Sequence, residues 1–377
     1  MPMIKYLVVI LEPAAASFCY YDVKPVPSSG LMPLELLRRV VDHAIRNGLH
    51  INFVHGDSPL PEEYVRLVES ADHISIMPPG QNPCAGGTVL VIDDHRLEDA
   101  PALAENPCAN IILRVGRDRL RQLSGMVRQL MGKFGRLNII LKDLAQFEEP
   151  ELQICREQMV VIGKRVAAEY RKGNFIEIST LTDRIFLTNM NNCGAGVEHL
   201  TVAPDGRYYL CPAFYHEGPE HSLGAFGETP RLENSRLLEL DYAPICRNCD
   251  AYHCKRCIYL NRKLTGEVNT PSRQQCRIAH LERDQSRQLL AALPSAIDGS
   301  EKIVPIPELD YSDPFEMLTR RDIDGGAKDR HFASLLSRPL EAVPASQLLL
   351  QIYQLDPGLL AKLKQMTPFA LDLKPKK

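Results

Sequence analysis

The chain has 377 residues, of which 45% are apolar and 24% charged, and its formal net charge is −3. That length allows one large domain with a smaller companion, and the composition is that of an ordinary soluble globule. The slightly acidic balance argues against a nucleic-acid partner, since nucleic-acid-binding proteins are usually basic.

The first apolar stretch, residues 6–11, is too short for a signal-peptide core and far too short to span a bilayer. No other apolar run approaches the roughly 18 residues that a membrane helix needs. The expectation is a cytoplasmic protein with no membrane partner. Up to about residue 180, short β-branched runs alternate with longer helical patterns. Strands are predicted at 6–11, 51–55, 73–77, 88–92, 110–115, 137–141 and 175–179. One helix is predicted to begin at Pro33, to carry Leu34, Leu37, Val41, Ala44 and Ile45 on one face, and to stop at Gly48. A second is predicted over 117–134, with Leu120, Leu123, Val127, Leu130, Met131 and Phe134 at helical spacing, its Lys and Arg residues forming a solvated outer face. A third is predicted over 150–172, with Leu152, Cys155, Met159, Ile162, Val166 and Tyr170 on one side.

Strands and helices in alternation imply a mainly parallel sheet with right-handed crossovers. The strands are near-continuous apolar runs, as a sheet buried on both faces requires. The fold class is therefore α/β, with a complete or partial (β/α) barrel of TIM type over residues 1–185; an open doubly wound sheet is the alternative.

Over residues 186–285 the character changes, and cysteine, glycine and proline concentrate. Thr201–Val202 and residues 207–210 flank Pro204-Asp205-Gly206, a β-hairpin signature. A helical pattern follows over 281–293. Residues 286–377 read as a loop-rich extension that ends in a helical pair, 345–355 and 357–366, and a basic Lys374-Pro375-Lys376-Lys377 tail.

Seven of the 11 cysteines lie between Cys193 and Cys276. Twelve residues separate Cys193 from Gly206, and four separate Gly206 from Cys211. Then come Cys246-x2-Cys249-x4-Cys254-x2-Cys257 and, after 18 more residues, Cys276. Thiolates this closely spaced can point at one centre, which is how soft metals and iron–sulfur clusters are held. In a reducing compartment this spacing favours metal over disulfide. A tetrahedral zinc would use four thiolates and leave three over. The four residues between the two Cys-x2-Cys pairs are also short for a zinc ribbon. Zinc stays open as the alternative metal.

This pattern resembles the SPASM domain, the C-terminal extension of many radical S-adenosylmethionine enzymes that modify peptides. All seven cysteine positions are occupied over residues 191–280, although relatives more often have five and three residues where this chain has four and two. The resemblance implies two auxiliary 4Fe–4S clusters, one held by Cys193, Cys211 and Cys257, the other by Cys246, Cys249, Cys254 and Cys276. Some relatives add a ligand between the first two cysteines. This chain has none there, which implies an open iron that a substrate group could occupy.

Radical S-adenosylmethionine enzymes also carry Cys-x3-Cys-x2-Cys in the loop after the first strand. Here that loop, Glu12-Pro13-Ala14-Ala15-Ala16-Ser17-Phe18-Cys19-Tyr20-Tyr21, holds Cys19 alone. One thiolate cannot hold a 4Fe–4S cluster, so S-adenosylmethionine cleavage is expected to be absent. Gly56 and Asp57, in His55-Gly56-Asp57-Ser58-Pro59, echo the Gly-Gly-Glu-Pro that meets the cofactor's amino group in that superfamily; Gly56, Asp57 and Cys19 are the vestigial cofactor-site candidates. The combination resembles the CXXX repeat peptide maturases, which have a SPASM-like end without the intact cluster motif. Ser17-Phe18-Cys19-Tyr20, Leu31-Met32-Pro33-Leu34 and Phe53-Val54-His55 look like that group. Membership would imply work on a ribosomally made precursor peptide with spaced cysteines, as a modifying enzyme or as a cluster-bearing accessory to an intact radical enzyme. The competing reading is a zinc-stabilised binding or scaffold protein.

Plainer readings cover the remaining candidates. Cys155 lies on the apolar face of its helix and reads as core. Cys84 and Cys108 each follow Pro and precede Ala, in loops. His253, inside the cysteine knot, and His199 and His216, on either side of Cys211, are candidate replacement ligands.

Overall fold

A computed structural model describes residues 4–23, 30–80, 87–98, 110–293 and 303–309. The chain divides into two compact units, Met1–Phe315 and Glu316–Lys377, and every described residue belongs to the first. Cys84, Cys108, the final helical pair and the basic tail lie outside the described residues.

The strands are β1 (Tyr6–Ile10), β2 (His50–Val54), β3 (His73–Met77), β4 (Gly87–Asp93), β5 (Asn110–Val115), β6 (Arg136–Leu141), β7 (Glu177–Ile178), β8 (His199–Val202) and β9 (Tyr208–Tyr209). They form one sheet in the order β7-β6-β5-β4-β3-β2-β1-β8-β9. All neighbours are parallel except β8 and β9. From β7 to β1 the order follows the chain without reversal. Beyond β1 the order turns, and β8 pairs with the other edge of β1 in parallel.

The hairpin of the cysteine-rich segment belongs to the same sheet. Val8 of β1 stands opposite Asn52 on one side and Thr201 of β8 on the other. The turn from β8 to β9 is set by Gly206, at φ +76°, and by Asp205. The Asp205 carboxylate accepts from Arg207 N–H at 3.1 Å and from the Tyr209 hydroxyl at 2.6 Å. Only glycine adopts that positive φ without strain.

Helices α1 (Leu34–Asn47) and α2 (Glu62–Glu69) cover one face of β1 and β2. Leu37, Val40, Val41, Ala44 and Val68 meet Leu7, Val9, Ile51 and Phe53 there. α1 ends at Gly48, whose φ of +61° lets Leu49 N–H reach back to the Ala44 carbonyl at 2.9 Å. The alternate strand residues Val8, Ile10 and Val54 enter a larger core with β3 to β7. α3 (Leu123–Leu130) and α4 (Glu149–Arg171) pack into that core.

The helix predicted over 117–134 is shorter than expected. Residues Arg117–Gln122 form a tighter 3-10 segment, and the α-helix ends at Leu130 because Met131 turns extended before Gly132 at φ +83°. Beyond β7 come α5 (Asp183–Phe186), α6 (Pro212–Glu217), α7 (Ile258–Thr265) and α8 (Arg273–Ala292). α8 starts well before the predicted 281, at a capping box made by Ser272 and Gln275. It lies along α4. Among the described residues no helix is long and apolar enough to cross a membrane.

Candidate functional site

Four cysteines from distant parts of the chain influence one another electrostatically. Cys19 lies in the loop that leaves β1, Cys193 precedes the Gly194–Gly196 turn into β8, Cys211 immediately precedes α6, and Cys257 immediately precedes α7. Backbone bonds fix the approach of the last segments: Cys193 N–H donates to the Lys255 carbonyl at 2.9 Å, and Asn191 N–H to Tyr252 at 2.7 Å. Arg256 is fully buried at a positive φ of +43°, and its guanidinium donates to Asn192 Oδ1 at 3.0 Å and to the Leu238 carbonyl. A non-glycine residue held in that region is strained. Cys257 follows directly, two residues after the Lys255 carbonyl that Cys193 meets.

The electrostatics of these thiols express their closeness. The Cys257 thiol donates to Cys19, which holds Cys19 below the ordinary thiol range against the opposing effect of burial. Cys257 is raised by the same bond, by burial, and by the charges of Cys19, Cys193 and Cys211. Burial, then the charge of Cys19, pushes Cys193 up to about 11. Cys211 is raised by burial and by the charges of Cys193 and Cys19. Buried thiols without a cation resist ionisation, whereas a metal centre in their midst deprotonates them outright.

A second group forms around the knot. Burial, then the charge of Cys249, pushes Cys246 up to about 11. Burial pushes Cys254 up to about 12, with Cys249 and Cys246 adding to it. Cys249 Sγ stands 3.4 Å from His280 Nε2 and accepts from Ala251 N–H at 3.4 Å. Cys276 sits in the first turn of α8, four residues before His280 and so on the same helix face.

Among the described residues, no three His, Cys, Asp or Glu side chains are arranged to hold a single ion. A tetrahedral zinc with Zn–S near 2.3 Å needs sulfurs roughly 3.8 Å apart. A cubane cluster is gripped at separate iron corners and accepts thiolates spread more widely. Cysteine sulfurs are the soft ligands that iron–sulfur centres use.

The histidines singled out in the sequence have other partners. His253 Nε2 meets Glu282 at 3.2 Å, His199 stacks on Tyr6 at 4.7 Å, and His216 stacks on Tyr21 at 5.2 Å. Cys155 is fully buried in the core.

At the C-terminal ends of the strands a cavity of about 280 Å³ opens, lined among others by Ala14, Ser17, Gly56, Asp93, Arg114 and Lys142. Its charges are paired, with Asp93 3.1 Å from Lys142 and 3.3 Å from Arg114. The Glu12 carboxylate fills the space over Gly56 that a Cβ would occupy. Burial, then the charge of Asp57, raises Glu12 above the usual carboxylate range. Gly56 and Asp57 thus meet a side chain of the first-strand loop.

Arg114 and Tyr20 also belong to this region. Arg114, from β5, ties down the loop by donating to the Cys19 carbonyl at 3.2 Å, the Tyr21 carbonyl at 2.7 Å and Asp22 at 2.8 Å. Tyr20 is raised by burial and by the charges of Cys19, Glu282, Cys257 and Cys254. A lone arginine in an apolar strand was the one available hint of the first.

No protein-family model matches the chain, and no curated protein matches it in sequence. Among solved structures it is similar to Streptococcus suis SuiB bound to S-adenosylmethionine, with a TM-score of 0.43 and 10% identity over 73% of this chain and 75% of that one. It is similar also to SuiB bound to its precursor peptide SuiA, with a TM-score of 0.42 and 10% identity over 73% and 76%. A third similarity is to BtrN in complex with AdoMet and 2-DOIA, with a TM-score of 0.27 and 13% identity over 66% and 93%. Similarity of this order does not fix a fold or an activity.

Proposed function

We propose that this protein acts in the maturation of a ribosomally synthesised peptide with spaced cysteines, as a cluster-bearing modifying protein or accessory to an intact radical S-adenosylmethionine enzyme. In this reading residues 1–185 are a degenerate radical-enzyme partial barrel, 186–285 a SPASM-like cluster domain and 286–377 an extension. What supports it is the mutual electrostatic influence among Cys193, Cys211 and Cys257, and among Cys246, Cys249 and Cys254, together with the approach of His280, four residues after Cys276, to Cys249 at 3.4 Å.

Two 4Fe–4S clusters bound there would supply single-electron transfer. The chain's own residues do the rest. Buried Arg256 and the α8 residues His280 and Arg283 fix the cysteine segments, and Cys193, Cys211 and Cys257 pack against the apolar core. The precursor peptide would meet the strand-end cavity, whose Asp93, Arg114 and Lys142 offer charge to a backbone or side chain. S-adenosylmethionine has no three-thiolate site in the first-strand loop and is not part of the proposal.

Anaerobically produced protein tests this directly. About eight iron and eight acid-labile sulfide per chain are expected, from two four-iron clusters. A peptide with Cys-x3 repeats should bind, and its serine counterpart should bind more weakly. One or two zinc atoms with no sulfide would overturn the cluster reading, and equal binding of both peptides would overturn the substrate.

A further inference from the structure

We propose that residues 303–309 are a strap that latches the turn between Cys249 and Cys254, so that seating or release of this segment is relayed to the turn through Arg184 and Arg283. The relay does not depend on whether the cysteines hold a cluster. The segment reads Ile303-Val304-Pro305-Ile306-Pro307-Glu308-Leu309. A residue ahead of proline is biased toward extended backbone, and Pro305 and Pro307 have no N–H to donate. Such a segment is stiff and offers mainly carbonyls.

The carbonyls are met by two arginines that are themselves fully buried. Arg184 Nη2 donates to the Pro305 carbonyl at 3.3 Å, and Arg283 Nη2 to the Pro307 carbonyl at 2.6 Å. The same two nitrogens face the turn: Arg184 Nη2 lies 3.5 Å from Asp250 Oδ2, and Arg283 Nη2 lies 2.7 Å from it. Arg184 Nε also donates to the Asp250 carbonyl, and its guanidinium stands over the Tyr252 ring at 4.5 Å. Asp250 and Tyr252 belong to the turn, in which Cys249 N–H donates to the Cys246 carbonyl at 3.0 Å and Cys254 N–H to the Ala251 carbonyl at 2.9 Å. The rest of the strap is seated by Val304 N–H, which donates to the Ile185 carbonyl at 2.8 Å, and by Ile306, which is 8% exposed and enters the apolar core. At the rim Arg287 meets Glu308 at 3.3 Å.

Two guanidiniums thus share one carboxylate, and the strap's carbonyls complete their partners. Once the strap leaves, water takes the place of those carbonyls and competes for Asp250, and an ion pair open to solvent holds far less firmly than a sealed one. The turn loses its grip as a result. One apolar side chain and a few hydrogen bonds hold the strap, whereas α8 lies along the length of α4. Opening at so lightly held a place costs less than opening the core.

The test is hydrogen–deuterium exchange on the full chain as purified, read by mass spectrometry. Ile306→Ser removes the apolar anchor, and Val304→Pro removes the N–H donated to Ile185, so the two loosen the strap by different means. In each variant, peptides covering residues 246–257 should exchange about tenfold faster than in wild type, the factor that a loss of about 1.4 kcal/mol represents. Peptides from β5 and β6 should keep the wild-type rate. Asp250→Asn should in turn speed exchange at the Val304 amide, because coupling between two sites is reciprocal. Should Ile306→Ser not fold, Val304→Pro decides, since Val304 is only half-buried. Acceleration confined to residues 303–309, or spread equally over β5 and β6, would overturn the relay. Iron and sulfide content, measured on the same samples, bears on the cluster reading alone.

Discussion

Arg283 holds Asp250 in a two-pronged ion pair, Nε to Oδ1 at 2.8 Å and Nη2 to Oδ2 at 2.7 Å, with the arginine fully buried. The pair joins α8 to the segment between Cys249 and Cys254. Arg184 approaches the same carboxylate at 3.5 Å, and Arg283 also donates to the Pro307 carbonyl at 2.6 Å. Removing one partner of such a pair leaves a charge without its counterpart, at a cost of about 3–5 kcal/mol. Arg283→Met should lower the unfolding free energy, read from urea denaturation, by about that amount. Arg283→Lys should recover little, because an ammonium cannot make the fork. A change below about 1 kcal/mol would mean that the pair behaves as an exposed one.

Cys155 and the cluster cysteines should separate in both stability and reactivity. Burial pushes the Cys155 thiol up to about 12, with Glu282 and Glu151 adding to it, so it should resist iodoacetamide in the folded protein. Cys155→Ala trades one small core group for about 1 kcal/mol. Cys249→Ala and Cys276→Ala each remove a proposed ligand and should lower the melting temperature of loaded protein much further. Equal shifts in all three would count against the ligand assignment.

The contact of Glu12 with Gly56 can be read by a double-mutant cycle. A Cβ at position 56 would run into the Glu12 carboxylate, so Gly56→Ala should destabilise by about 1–3 kcal/mol, the range for overpacking. The same change made in Glu12→Ala should cost much less. Additive effects would show that the two positions are uncoupled.

Two buried histidines make stability fall in acid. Burial lowers His55 to about 4, with His73 adding to it, and burial lowers His199 to about 4 against the opposing charge of Glu198. Both therefore stay neutral in the folded chain, while the unfolded chain takes up their protons as pH drops below 6.5. Stability should be level above that pH and fall as pH decreases toward about 4. A fall from 6.5 to about 4 is worth up to about 3 kcal/mol for each group. Urea midpoints at about pH 7 and about pH 5, compared between wild type and His199→Gln, measure the slope. An unchanged slope in the variant would remove His199 from the account.

The chain alone should not cleave S-adenosylmethionine reductively. Its first-strand loop offers one thiol, and that thiol lies against Cys257. Low-potential reductant with the cofactor should yield no 5′-deoxyadenosine above background. Catalytic formation of that product by the purified chain would show that a primary cluster sits elsewhere.

Much of the sheet was legible because its strands are apolar runs bounded by turn residues. All seven predicted strands of the first 180 residues coincide with β1 to β7 to within a few residues. Two features escaped. The N-terminal half of α8 was invisible to periodicity because its buried face carries Gln275, His280, Glu282 and Arg283, which a hydropathy pattern counts as exposed. The company of Cys19 was invisible because proximity across the whole domain leaves no local spacing to read. The same holds for the pairing of β8 with β1, since nothing in either strand names its neighbour. The spacing of Cys246 to Cys257, by contrast, is local and can be read directly from the sequence.

The pairing of β1 with β8 also sets a timetable. β1 finds β2 soon after both are made, but its other edge waits for residues His199 to Val202. At about 5–20 residues per second that edge stays bare on the ribosome for roughly ten to forty seconds. During that interval Leu7, Val8 and Val9 form an unpaired, uncharged strand border, the kind that recruits other chains. Any fragment cut before residue 199 would keep that border for good, so the cysteine-rich segment serves the nascent chain as a cover for its first strand as well as a place for sulfur.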